Sequence, residues 1–173
     1  MLFNLEKEKN NDSKKGTPQF RLFLADINDV DIENWPVPVD ATIKKNVLKL
    51  SKKWNFIDAD NALLNPSIAP GDSPFDGQLT LTPIFEGITK KSLQFVYDNV
   101  GGDFVAVWVR CSDGQKFIAG NKCSGGLRLS YTNIGKLENG LDGLALQLQG
   151  KNCPEPYYFY EPTEFPIEDV VTP

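Results

Sequence analysis

The sequence has no histidine, only three cysteines and no long apolar run. General acid–base sites use histidine most often, so its absence argues against an enzyme. A zinc site without histidine would need carboxylates, and Cys111, Cys123 and Cys153 are not spaced like paired metal ligands. We therefore expect no catalytic, cofactor-binding or metal-binding residues, no cofactor, and buried or half-buried free thiols in a reducing compartment.

Membrane and nucleic-acid partners are also disfavoured. No run approaches the ~20 apolar residues that cross a bilayer, and the N-terminal residues lack the apolar core of a secretory signal. The formal net charge is −5, from 18 basic and 23 acidic residues. Tight nucleic-acid binding needs a basic face that displaces counterions, so we expect neither a nucleic-acid clamp nor a membrane protein.

The chain of 173 residues, 40% of them hydrophobic, is large enough for one domain with its own core. Residues 1–19 are polar and aperiodic, which predicts a flexible N-terminal arm. We expect a single β domain over residues 20–160 that includes a long loop at 51–77 with a short strand at its start, and an extended acidic tail at 161–173.

Between Gln78 and Gly150 the pattern predicts a strand, one helix and then four strands. The helix covers about 89–100, with Thr89 as its N-cap, Gly101 as its stop and an apolar face of Leu93, Val96 and Tyr97. The strand that follows is apolar on both faces, so it should be central and covered on both sides, on one of them by the helix. Later strands alternate and should keep one wet face. The fold class is mainly β: a β-sandwich or barrel with one short flanking α-helix and extended N- and C-terminal arms.

The segments outside this region are less regular. Residues 20–26 alternate like a strand, and 35–40 contain two prolines, which restrict them to an edge strand or an extended loop. Residues 41–50 fit a helical face of Ile43, Val47 and Leu50, or a strand. Two aromatic groups suggest contacts with another subunit, because neither has an evident place in the domain's own core. The first group is Trp54, Phe56 and Phe75 in the 51–77 loop. The second is the run Tyr157–Tyr160, whose pattern also fits a last strand followed by a tail.

Several motifs resemble functional sites only in part. Residues 29–40 place Asp29, Asp31, Glu33 and Asp40 at calcium-loop positions but lack the required glycine, so an acidic surface loop is the better interpretation. The glycine-rich segment 120–126 lacks the Lys-Ser/Thr pair of a phosphate loop and precedes a strand, which indicates a turn. Acidic residues before position 41 are followed at once by lysines. These charges form solvated faces, or complementary patches between copies of the chain. The sets are Asp26, Asp29, Asp31, Glu33 and Asp40; Lys44, Lys45, Lys49, Lys52 and Lys53; and, in the tail, Glu155, Glu161, Glu164, Glu168 and Asp169.

The order of elements in Gln78–Gly150 resembles the conserved half of phage major tail tube proteins, whose fold is shared with contractile injection systems. The matching pieces are LTLTPIFEG, SLQFVYDNVGG, DFVAVWVRC, a DG turn with KFIAG, GLRLSYTNIG and LDGLALQLQG. The resemblance implies a structural virion protein that assembles in the host cytoplasm into stacked, hexameric rings. The rings form a hollow conduit through which DNA passes without specific binding. Its partners would be copies of itself, other tail proteins and a sheath.

Two alternatives remain open. Within the same class, the chain would be another tail or neck component, such as a terminator, completion or baseplate protein. From a different class, it would be a β-sandwich module that binds a receptor or a carbohydrate. Exposed aromatic residues on a rigid sheet face would favour the binding module, whereas aromatic residues on loops and arms would favour assembly.

Overall fold

The computed structural model describes residues 2–6, 21–59, 66–70, 76–110, 113–138 and 140–168. These ranges contain one α-helix, one short 3-10 helix and eleven strands, which confirms the expectation of a mainly β protein with one short helix. The helices are α1 (Lys90–Asn99) and the 3-10 turn Ile27–Asp29. The strands are β1 (Arg21–Asp26), β2 (Thr42–Ile43), β3 (Asn55–Asp58), β4 (Ser67–Pro70), β5 (Gly77–Leu81), β6 (Ile84–Glu86), β7 (Asp103–Val109), β8 (Lys116–Ala119), β9 (Leu127–Lys136), β10 (Asp142–Gly150) and β11 (Tyr157–Tyr160).

The strands form one mixed sheet that forks at β7. Along one edge of β7 lies β1, paired antiparallel. The other edge is shared, since β9 pairs with residues 103–104 and β8 with residues 106–109. One branch runs β8–β11–β2 and the other β9–β10–β5–β4, while β6 pairs with β10 and β3 with β1. Strand β7 is therefore the centre of the domain.

Both faces of β7 are packed. Phe104, Ala106 and Trp108 belong to one hydrophobic cluster, which also contains Phe95 of the helix. Val105 and Val107 point into a second cluster with Trp54, Tyr160 and other residues that precede β4 or follow β10. The prediction of a central strand covered on both sides, with the helix on one of them, is confirmed.

Helix α1 begins where the sequence predicts and buries a different face. The Thr89 hydroxyl accepts a hydrogen bond from the Ser92 amide at 3.1 Å, and the Ser92 hydroxyl accepts one from the Thr89 amide at 2.8 Å. The predicted apolar face is wrong at Tyr97, whose side chain is 71% exposed. The buried stripe contains Phe95 and follows the i, i+3, i+4, i+7 spacing of one helical face: Ser92, Phe95, Val96 and Asn99.

The wet face predicted for the later strands is confirmed. In β9 and β10 the buried side chains include Leu127, Leu129, Leu146 and Leu148. Between them the polar residues of both strands, from Arg128 to Gln149, are half-buried or exposed. This branch of the sheet thus has a dry face under the helix and a polar face toward solvent.

The expectation that loop aromatics lack a place in the core is wrong. Trp54 is 0% exposed and Phe56 is 1% exposed, because β3 brings both under β1 and the C-terminal residues. Phe75 lies outside the described residues. Tyr158 and Tyr160 are also buried, since β11 pairs with β8 and β2 of the same chain. The aromatic run is therefore a strand inside its own domain, which agrees with its interpretation as a last strand.

Residues 41–50 are neither a helix nor a full strand. Only Thr42–Ile43 forms a strand, Ile43 and Val47 are buried, and Leu50 is 95% exposed. The proposed helical face is therefore wrong at its last position. Pro36 and Pro38 lie in the irregular chain just before β2, consistent with the predicted extended loop.

No helix in the described ranges is both long and apolar enough to cross a membrane.

Candidate assembly surfaces

The outer edge of β3 is closed by both ends of the described chain. Leu5 donates its amide to the Phe56 carbonyl at 2.8 Å and accepts from the Asp58 amide at 2.9 Å, which adds a short parallel pairing. On the C-terminal side, Trp54 and Ile167 form a second parallel bridge. The two terminal segments thus occupy the edge that β1 leaves free.

Asn4 joins the two terminal segments. Its side-chain oxygen accepts from the Phe56 amide at 3.0 Å, and its side-chain nitrogen donates to the Glu168 carbonyl at 3.2 Å. Leu5 beside it is 1% exposed, and the Phe3 ring meets the Phe95 ring of α1 edge-on at 5.7 Å. The predicted flexible arm at 1–19 is therefore wrong for residues 2–6, because their apolar side chains enter the first hydrophobic cluster. The rest of that arm lies outside the described residues.

Acidic residues of the C-terminal tail are accompanied by apolar ones that pack inward. Phe165 stacks on Trp54 with ring centroids 5.6 Å apart and meets Phe23 edge-on at 4.9 Å. Glu168 donates its amide to the Trp54 carbonyl at 2.8 Å. Residues 161–168 consequently line their own domain, and residues beyond 168 lie outside the described part.

Strand β4 is an open edge. It pairs with β5 on one side, and the described residues supply no strand on its other side. All four of its residues are exposed, including Ile68 at 46%. Native proteins usually shield such edges, because unpaired amides and carbonyls are a template for another strand.

Further apolar residues are exposed on loops near the edge strand β2. Val37 is 85% exposed, Val39 is 62% exposed and Leu50 is 95% exposed. Val39 itself bridges to Thr42 of β2. These side chains are aliphatic, whereas the exposed aromatics among the described residues lie on the helix or on strands: Tyr97, Tyr131 and Tyr157.

The glycine-rich segment 120–126 is the turn where the sheet forks, which confirms its interpretation as a connection between strands. Gly120 has φ +97°, and a Cβ there would lie 2.7 Å from the Phe104 carbonyl oxygen of β7. Asn121 is buried and holds the turn: its side chain donates to the Glu155 carbonyl at 2.8 Å and accepts from the Ser124 amide at 3.0 Å. The segment is too closely packed on β7 to act as an open anion cradle.

Cys123 and Cys153 form a disulfide, with Cα atoms 5.8 Å apart. The expectation of free thiols is therefore wrong for these two residues, and Cys111 lies outside the described part of the chain. The bond ties the fork turn to the residues that lead into β11. Sequence spacing alone could not reveal it, because the pair is separated by 30 positions.

A polar depression of about 450 Å³ lies beside this disulfide on the wet face of the sheet. Arg128 is held there by Asp103 through a hydrogen bond of 2.8 Å, which raises the pKa of the guanidinium. Gln149 donates to the Gln78 side chain at 3.2 Å. The residues around the depression have polar side chains or are glycines: Gln78, Asp103, Ser124, Gly125, Gly126, Arg128, Gln149, Gly150 and Lys151.

Two residues of the first acidic set, Asp29 and Glu33, form ion pairs with lysines of the same chain. Lys52 contacts Asp29 at 2.7 Å, and this hydrogen bond and its charge raise the pKa of the lysine. Lys122 contacts Glu33 at 2.9 Å. These pairs take up part of the charge that the sequence offered for contacts between copies, so the structure favours local pairing for these residues.

The calcium-loop positions are not brought together as ligands. Asp29 and Glu33 are engaged by the lysines, and Asp31 accepts two hydrogen bonds of 3.1 Å from the Asn34 side chain. Across the described ranges, no group of three or more histidine, cysteine, aspartate or glutamate side chains has the arrangement of a metal site.

Comparison of the chain with family models, curated proteins and solved structures finds no match.

Proposed function

We propose that this chain is a self-assembling structural subunit, and specifically a subunit of a phage tail tube. Its copies would associate laterally into rings, which the resemblance implies are hexameric, and the rings would stack into a hollow conduit. The chain would work without a cofactor, within the virion, beside other tail proteins and a sheath.

The observation that carries this proposal is the open edge of β4. Residues 2–6 and 166–168 shield β3, yet β4 exposes all four residues and an unpaired edge in the described structure. A strand of another copy would satisfy those backbone groups and extend the sheet across the subunit boundary. Where the partner strand is a different edge of the neighbour, the contact is heterologous and closes into a ring when the rotation closes, whereas β4 pairing with β4 would give a two-fold dimer.

Two further features support the tube rather than a simple dimer. The element order on which the resemblance rests appears as β5, β6, α1, β7, β8, β9 and β10, with the single strand expected before the helix divided in two at residues 82–83. The chain also carries a net charge of −5, and an acidic wall repels DNA phosphates, whereas a basic wall would retain them.

The β4 edge gives a direct test by sedimentation velocity. Ala69 lies on β4 and is exposed, and a lysine on an edge strand opposes pairing with another strand. We expect Ala69→Lys to remain a folded monomer at concentrations where the unchanged protein sediments as larger species. Thr163→Lys adds the same charge at an exposed position outside the sheet and should assemble normally. Equal assembly of both variants would refute the role of β4.

The polar depression, together with the exposed Tyr131 and Tyr157 on strands, favours one alternative, a module that binds a polar ligand such as a carbohydrate. Amide groups on a sheet face suit sugar hydroxyls, and Gln78 and Gln149 supply them there. Glycan-array binding that is lost in Gln149→Ala, from a protein that stays monomeric, would favour this function over assembly.

A further inference from the structure

The N-terminal segment 2–6 is bound to the domain like a docked peptide. It adds a short parallel strand to the edge of β3 through two backbone hydrogen bonds at Leu5. Asn4 is 7% exposed and uses both ends of its amide, while Leu5 is 1% exposed. Such a combination of edge pairing and side-chain burial is how extended peptides are recognised by sheets.

We propose that this docking site also accepts residues 2–6 of a second copy, so that neighbouring subunits exchange their N-terminal segments. The inference rests on the self-assembly proposed above and names a second contact between adjacent copies, in addition to the β4 edge. The groove is defined by β3, the start of α1's buried face and the C-terminal residues 166–168. Its occupant is the sequence Leu-Phe-Asn-Leu-Glu of the neighbour.

The chain is long enough for this exchange. Residues 7–20, which number fourteen, connect Glu6 to Arg21, and a connection of that length spans at most about 50 Å. A domain of this size has a diameter of about 40 Å. A segment that leaves β1 of one copy can therefore reach β3 of a copy that touches it.

Exchange requires no new interface chemistry. The same amides, the same Asn4 hydrogen bonds and the same Leu5 pocket are satisfied whether the segment comes from its own chain or from a neighbour. Domain swapping is a low-cost route to association for this reason. In an isolated chain the covalent connection favours its own segment, while in a ring the neighbour's groove competes at a similar local concentration.

Isotope-coded photo-cross-linking tests the exchange. Phe3→p-benzoylphenylalanine places a photoreactive group at the position whose ring centroid lies 5.7 Å from that of Phe95. Equal amounts of ¹⁴N and ¹⁵N protein are unfolded together, refolded, assembled and irradiated. Mass spectrometry then identifies cross-links from residue 3 to α1 and shows whether both peptides carry the same label.

Exchange predicts that about half of these cross-links in assembled protein join a light peptide to a heavy one, the fraction expected from random mixing. The same mixture held as dilute monomers should give same-label pairs only. Assembled protein with same-label pairs only would overturn the exchange and leave the assembly intact. Failure to assemble would refute the proposed function, and the exchange with it. Leu2→p-benzoylphenylalanine, which also lies against the first cluster, repeats the measurement if the first variant does not fold.

Discussion

Replacing Leu5 with alanine tests whether the N-terminal residues are part of the folded domain. Leu5 is 1% exposed and packs into the larger hydrophobic cluster. Leu50 is a matched control, because it is the same residue type at 95% exposure. The two substitutions remove identical atoms, so the difference between them measures burial alone.

The magnitude follows from the burial of Leu5. Fully buried leucines lose about 2–5 kcal/mol of unfolding free energy on truncation to alanine. We expect Leu5→Ala to lower the unfolding free energy by about 2–3 kcal/mol. This is the low end of that range, because a terminal segment relaxes more easily than a central strand. Leu50→Ala should change stability by less than about 0.5 kcal/mol. For a chain of this length, the loss at Leu5 corresponds to a fall in Tm of about 5–10 °C.

Urea unfolding followed by tryptophan fluorescence measures both variants, since Trp54 and Trp108 lie in the two clusters. A slope of the unfolding free energy against urea that equals that of the unchanged protein shows that the same surface is exposed. If Leu5→Ala and Leu50→Ala differ by less than about 0.5 kcal/mol, residues 2–6 do not dock and the exchange proposal loses its site.

Three other predictions concern the fork and the second cluster. Reduction of the Cys123–Cys153 bond, which closes a loop of 30 positions, should lower the unfolding free energy by about 3.6 kcal/mol, and a variant with both cysteines changed to serine should be insensitive to reductant. Gly120→Ala should lower the unfolding free energy more than Gly140→Ala does. Both glycines have positive φ, +97° and +83°, but only a Cβ at Gly120 would lie 2.7 Å from a backbone oxygen. Equal unfolding midpoints for the two variants would contradict the packing of the fork. Burial, with a smaller contribution from a hydrogen-bonded glutamate, raises the pKa of Tyr158 to about 12 from 10.0. The native state therefore holds the phenolic proton more tightly, and stability should fall as pH rises from about 10 to about 12. Tyr158→Phe should lose that part of the decline in urea unfolding measured across this range.

The sequence predicts the central part of the fold well because local and tertiary signals agree there. The apolar residues on both faces of β7 require two covers, and the structure supplies two clusters. Thr89 and Gly101 mark the ends of the helix through backbone hydrogen bonds and a positive φ of +86°, which are local properties. The alternation in β9 and β10 reports directly which side faces water.

Long-range partners explain where prediction from the sequence failed. In the sequence, Trp54 and Phe56 lie in a polar segment with no visible partner. The structure buries them because β3 pairs with β1, more than 30 positions earlier in the chain. The 30-position separation of Cys123 and Cys153 likewise hides their proximity. One local signal was available at the N-terminus: Leu2, Phe3 and Leu5 form a short apolar group in an otherwise polar segment, and all of them contact the core.

From the sequence, only the type of assembly contact could be proposed, and not the residues that form it. Aromatic residues on arms suggested contacts between copies, yet the structure buries most of them within one subunit. The exposed features left for assembly include the edge of β4 and the aliphatic residues on the loops before and after β2, whose exposure depends on the completed sheet. Edges are a property of topology, and the sequence does not display which strand will be last in the order.

Negative-stain electron microscopy of the concentrated, purified protein tests the central claim most directly. We expect rings with a central opening, and stacks of those rings that lengthen into tubes as the concentration rises. Particles that remain single domains at every concentration and salt condition would contradict it.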